Sequence, residues 1–229
     1  MEPAPERHNP AASRELRIPA GDVVLHGALD LPVAAVGLVV FAHGSGSSRS
    51  SPRNLYVARR LWQAGLGTLL FDLLTPDEQA LDRRGAVLRF DIGRLARRLV
   101  DVVDWLRREE CVPGSRLGLF GASTGAAAAL LAAARRPRLV MAVVSRGGRP
   151  DLAGAELAQV LAPTLLIVGG FDTEVIELNR LAAGQLRCEH ELRIVPGATH
   201  LFEEPGTLGE VAELAAAWFL AHAEAPSGR

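Results

Sequence analysis

The sequence predicts an α/β domain, a mostly parallel sheet with helices on both faces. Three observations carry this. Strand-like and helix-like segments alternate along most of the 229 residues, the order that builds parallel βαβ units. Several short runs are apolar throughout, as in strands buried on both faces. And Gly121-Ala122-Ser123-Thr124-Gly125 stands between an apolar run, 117–120, and an alanine-rich stretch, 126–135. Strand, tight turn and helix in that order form the setting of a nucleophile elbow.

The elements follow in turn. Residues 16–19 and 23–31 read as an opening antiparallel pair joined through Ala20-Gly21-Asp22. Residues 36–42 and 67–72 are buried strands. Between them, 54–64 has helical spacing, with Leu55, Ala58, Leu61 and Trp62 on one side. The polar stretch 76–89 reads as a surface excursion. Residues 91–108 form a long amphipathic helix. Ile92, Leu95, Leu99, Val102, Val103 and Leu106 make its apolar face, and Arg94, Arg97, Arg98, Arg107 and Arg108 its solvated side. After the elbow helix come strands at 140–145, 164–169 and 192–195. Helices near 153–161, 173–186 and 207–221 alternate with them. With no internal repeat or linker, one domain over 15–222 is expected, with tails at 1–14 and 223–229.

Composition excludes several classes. The net charge of −1 gives no reason to expect nucleic acid or an anionic membrane as partner. All 25 basic residues are arginine. Without lysine there is no Schiff-base chemistry and no phosphate-loop lysine. Cys111 and Cys188 lie far apart outside any paired motif, as expected of reduced thiols in a cytoplasmic protein. No signal peptide is expected at the N-terminus, and no apolar stretch approaches the roughly 20 residues of a membrane helix.

Chemistry is sought at the carboxyl ends of the strands, where open α/β sheets bind ligands. A serine hydroxyl needs a base to take its proton and a carboxylate to orient that base. Asp172 and His200 stand at the ends of later strands, in the order nucleophile, acid, base. The spacing leaves room for one strand–helix unit between each pair. Asp172 also suits a helix N-cap, and Asp151 competes for the acid role one element too early. His8, His26, His190 and His222 are poorly placed as bases. An oxyanion would take the Thr124 N–H, at a helix start, and the Ser45 N–H from the loop after strand 36–42. His43 reads as a structural pin for that loop, and Asp72 as a pin for an arginine or loop backbone.

With those residues in place, the chain resembles the α/β-hydrolase superfamily and, within it, the dienelactone-hydrolase-like branch. The resemblance rests on His43-Gly44, the elbow, Gly169-Gly170-Phe171-Asp172 and Gly197-Ala198-Thr199-His200. It implies the α/β-hydrolase fold with an eight-stranded sheet, and the triad Ser123, Asp172 and His200. Dienelactone hydrolases typically use cysteine as nucleophile. Serine here implies a more general ester hydrolase. The span 145–163 leaves no room for a cap domain, so the site should be open and suited to short acyl groups. Arg49, Arg53, Arg146 and Arg149 follow strands near the site and are candidates for contact with an anionic substrate, as is His43 for substrate contact. Loop ion pairs or solvent are their competing fate.

The reaction expected is cleavage of a small carboxylic ester through an acyl-enzyme on Ser123, with no metal or organic cofactor. The alternatives are acyl transfer or perhydrolysis on the same triad, and a non-catalytic ligand-binding module of this fold. The partner is a small-molecule ester. Whether residues 75–90 cover the site, and the oligomeric state, stay open.

Overall fold

The computed structural model describes residues 13–85, 87–109 and 116–224. Cys111 and the tails up to residue 12 and from 225 lie outside them. Eight strands form one sheet in the order β1-β2-β4-β3-β5-β6-β7-β8. β1 (Arg14–Ala20) and β2 (Val23–Asp30) make the expected antiparallel pair, and β2 runs antiparallel to β4 (Gly67–Phe71). β3 (Leu38–Ala42), β5 (Leu117–Ala122), β6 (Val140–Arg146), β7 (Thr164–Gly169) and β8 (His190–Val195) continue the sheet in parallel from β4. β3, β4, β5 and β7 are buried along their whole length, which is why they read as unbroken apolar runs.

Helices cover both faces. α1 (Pro52–Gln63) and α6 (Thr207–Glu224) pack on one, α3 (Ile92–Arg108) and α4 (Thr124–Arg135) on the other, and α5 (Thr173–Ala183) lies against β7 and β8. α2 (Pro76–Gly85) follows β4. The expected helix near 153–161 is instead a 3₁₀ stretch, Pro150–Gln159, broken at Gly154 by a φ of 56°. Among the described residues, nothing between β6 and β7 resembles a cap. No described helix is long and apolar enough to cross a membrane.

Two expectations about helix faces are corrected. On α1 the buried residues are Asn54, Val57, Ala58 and Leu61, while Leu55 is exposed. On α3, Arg98 is buried rather than solvated. Its guanidinium donates to the Leu73 carbonyl and, as a fork, to both carboxylate oxygens of Glu78. Burial pushes the Glu78 carboxyl up, but the Arg98 fork and the Thr75 N–H hold it down to about 2. This pair fastens α2 to α3. The described parts of the stretch 76–89, namely 76–85 and 87–89, are therefore built structure. Asp82 inside it is buried, accepting the Leu88 and Arg89 N–H groups.

Candidate active site

The elbow is built by three residues. Ser123 has φ 50° and ψ −122°, a conformation that costs a non-glycine residue about 1–3 kcal/mol. It heads α4 without a side-chain cap bond, so Oγ is left for chemistry. The flanking glycines are sterically required. A Cβ on Gly121 would lie 2.4 Å from Ala126 Cα, and one on Gly125 would lie 2.1 Å from the Ala42 carbonyl oxygen. The main chain of Ser123 is held from β6 and beyond. Its N–H donates to the Arg146 carbonyl, and its carbonyl accepts the Arg149 N–H.

Asp172 and His200 meet as expected. Asp172 Oδ2 lies 2.6 Å from His200 Nδ1. Asp172 occupies the N-cap position of α5 yet makes no side-chain cap bond there. Its carboxylate bonds to the imidazole and not to the helix N-terminus. The loop carrying His200 is fixed locally. Thr199 donates to Glu204 through both N–H and hydroxyl, and Phe202 is buried behind it. Gly169 allows the loop close, since a Cβ there would be 2.5 Å from the Ala198 and Thr199 carbonyls. Gly147, at φ 49°, approaches the same loop, where a Cβ would stand 3.0 Å from the His200 carbonyl oxygen and 3.6 Å from His200 Cε1. That glycine follows Arg146, the residue bonded to Ser123 N–H, so the imidazole sits next to the elbow. Ser123 and His200 share no hydrogen bond in this state, a link that often closes only with substrate.

The His43–Ser48 loop faces the elbow from β3. A Cβ on Gly44 would lie 2.9 Å from Ser123 Cβ. His43 is buried and uses both ring nitrogens. Nδ1 donates to the Gly44 carbonyl, and Nε2 accepts the Leu73 N–H. Burial pushes its pKa down. A neutral ring locked at both ends is a pin rather than a base, and His43 also lines the cavity beside this loop. The Ser45 N–H donates to Thr124 Oγ1 at 3.0 Å, a bond that sequence reading missed because its partners are far apart in the chain. In this state the expected oxyanion donor is thus occupied. A cavity of about 540 Å³ opens beside this loop, and Gln79, Asp82, Arg83 and Arg89 from the 76–90 segment form one wall.

The four candidate arginines separate. The Arg49 N–H and Nε go to Asp72 and its Nη1 to Glu15. Asp72 is therefore the expected pin. Arg149 forks onto Asp151. These two pairs engage Arg49 and Arg149 with carboxylates of the chain itself. Arg53 reaches Glu203 through Nη1 only, and Arg146 has no hydrogen-bonded partner on Nε or Nη1. Burial, with the charge of Arg53 added, brings the Arg146 guanidinium down to about 10. Cys188 is a free thiol whose pKa is raised by burial. Among the described residues no group of three or more His, Cys, Asp or Glu is placed to hold a metal ion.

Comparison with known proteins follows the same lines. The model of the dienelactone hydrolase family matches residues 25–223. A crystal structure of a dienelactone hydrolase from Anabaena variabilis is 56% identical, with a TM-score of 0.89 over 91% of this chain and 97% of that one. Est1E from Butyrivibrio proteoclasticus shares the fold at 18% identity, with a TM-score of 0.74 over 91% of this chain and 98% of that one. A protein of Mycobacterium tuberculosis named "Putative phosphoribosyl transferase" is 55% identical over 221 residues, 96% of this chain and 49% of its own length. The chain thus spans about half the length of the curated relatives it matches.

Proposed function

The chain belongs to the dienelactone hydrolase family, and from that membership and the geometry above we propose a serine esterase acting on small carboxylic esters. The observation that carries this reading is the Asp172–His200 bond at 2.6 Å beside a strained Ser123. Ser123 Oγ attacks the acyl carbon as His200 takes its proton. His200 returns the proton to the leaving alcohol. Water, deprotonated by His200, then releases the acid and restores the serine. Asp172 keeps the imidazole in the tautomer with Nε2 free and stabilises the imidazolium that forms. The developing oxyanion is held by the Thr124 N–H at the start of α4 and by the Ser45 N–H, which exchanges Thr124 Oγ1 for the substrate oxygen.

The name of the mycobacterial relatives speaks of phosphoribosyl transfer, but they are about twice as long as this chain. A nucleophile elbow with an acid–base pair supports hydrolysis for the part compared. The free, half-buried thiol of Cys188 supports a cytoplasmic location.

The absence of a cap among the described residues favours short acyl groups. We expect 4-nitrophenyl acetate or butyrate to be turned over with higher kcat/KM than the laurate. Faster turnover of the long-chain ester would overturn the short-chain reading.

A further inference from the structure

β8 is the last strand of the sheet, and among the described residues it pairs with β7 alone. Its bonds to β7 leave from odd-numbered residues. The Glu189 carbonyl accepts the Thr164 N–H, and the Val195 carbonyl accepts the Gly170 N–H. Thr164, Leu166 and Val168 lie beside His190, Leu192 and Ile194, so a parallel ladder of period two gives β7 the residues between them. The N–H and C=O groups of His190, Leu192 and Ile194 therefore point away from the sheet, and no described residue bonds them. His190 and Arg193 are exposed, and Ile194 is 37% exposed. Such an edge is a template for another strand. The opposite edge is blunted. β1 carries Pro19, which has no N–H to give, and commits Glu15 to Arg49.

The charges of β8 choose its partner. Glu191-Leu192-Arg193 is self-complementary about Leu192. Let a second copy lie antiparallel with Leu192 facing Leu192. His190 then faces Ile194 of the other copy, and Glu191 faces its Arg193. The outward-pointing residues meet one another, and each facing pair exchanges both backbone bonds. Glu191 and Arg193 fall in the closer, non-hydrogen-bonded positions, where opposite charges across strands attract. Moving the centre by one residue sets Glu191 against Glu191 or Arg193 against Arg193, and like charges there are unfavourable. Bond phase and charge thus agree on one register. Within the single chain the two side chains pair with each other at 2.6 Å and remain accessible, Arg193 at 54% and Glu191 at 40%.

We propose that the protein forms a two-fold dimer in which β8 pairs antiparallel with β8 of a second copy, centred on Leu192. The contact is isologous, so it closes on itself and does not propagate into a fibre. It continues the eight-stranded sheet of one copy into that of the other. Because the paired strands run in opposite directions, the strand ends that carry Ser123 and His200 lie on opposite sides of the dimer. The pairing is independent of the esterase reading.

Sedimentation velocity on the full chain, from about 1 to 200 µM, tests this. A strand edge this short makes a small interface, so dimer should form with a Kd in the micromolar range. R193E and E191R should each weaken it by about tenfold or more, since each sets like charges face to face. The double variant E191R/R193E, with the charges exchanged, should return to within about threefold of wild type. I194P removes an outward N–H that β7 does not use, and should also weaken the dimer by about tenfold. The surface variant R180E should leave it unchanged. If R193E does not fold, E191R and I194P decide. A wild-type monomer at every concentration overturns the proposal. So does a dimer that tolerates E191R and I194P, or a charge exchange that restores nothing.

Discussion

Asp172→Asn should lower kcat/KM for a short ester by about 10⁴-fold while Tm moves by no more than about 3 °C. The carboxylate makes one bond that matters, to His200 Nδ1, and none to the helix it heads. Replacing an oxygen by an NH₂ group removes the acceptor that fixes the imidazole tautomer. Nε2 then carries the proton and cannot take one from Ser123. Because the residues act as a unit, Asp172→Asn combined with His200→Gln should be no slower than His200→Gln alone. Steady-state kinetics on the single and double variants check this. Activity of Asp172→Asn within tenfold of wild type, or additive losses in the double variant, would show that Asp172 is a structural residue only.

The second large effect concerns the elbow itself. Gly125→Ala adds one carbon at a point 2.1 Å from the Ala42 carbonyl oxygen, with the His43 carbonyl at 2.7 Å. Neither neighbour is a flexible side-chain end. Ala42 is the last residue of a central strand, and His43 begins the loop that carries Ser45. Overpacking of this kind typically costs about 1–3 kcal/mol and occasionally more. For a domain of this size that is a fall in Tm of roughly 2–12 °C. Whatever structure survives must push the Ser45 loop away from Thr124, so kcat should fall with little recovery at high substrate. Thermal melting and kinetics of the variant check both parts. Unchanged Tm and kcat would mean that the close approach of β3 to the elbow is not a constraint.

Much of this arrangement was legible in the sequence because each part has a short-range cause. The elbow reads from five residues and their flanks. Asp172 and His200 read from their places at strand ends, and the buried strands from apolar runs that a two-faced burial requires. What escaped depends on partners distant in the chain. Arg98 looked like one more solvated arginine on α3. Its burial is decided by Glu78, which arrives from a polar segment with no apolar periodicity to mark it as built structure. α1 carries apolar residues on more than one side, and packing against α6 chose the face with Val57 over the one with Leu55. The engagement of Ser45 N–H by Thr124 Oγ1 joins two loops that no local pattern links. The arginines show the limit most plainly. Arg49, Arg53, Arg146 and Arg149 have the same chemistry and similar positions after strands. Only the placement of Asp72 and Asp151 separates the two satisfied ones from the two that keep buried free donors.

The central claim is that Ser123 is a nucleophile activated by His200. Labelling the folded protein with a fluorophosphonate probe at pH 7 to 8, and locating the adduct by peptide mass spectrometry, tests it most directly. The account predicts one adduct, on Ser123, absent from Ser123→Ala and strongly reduced in His200→Gln. No adduct on the folded wild-type protein, or equal labelling of Ser123→Ala, would contradict it.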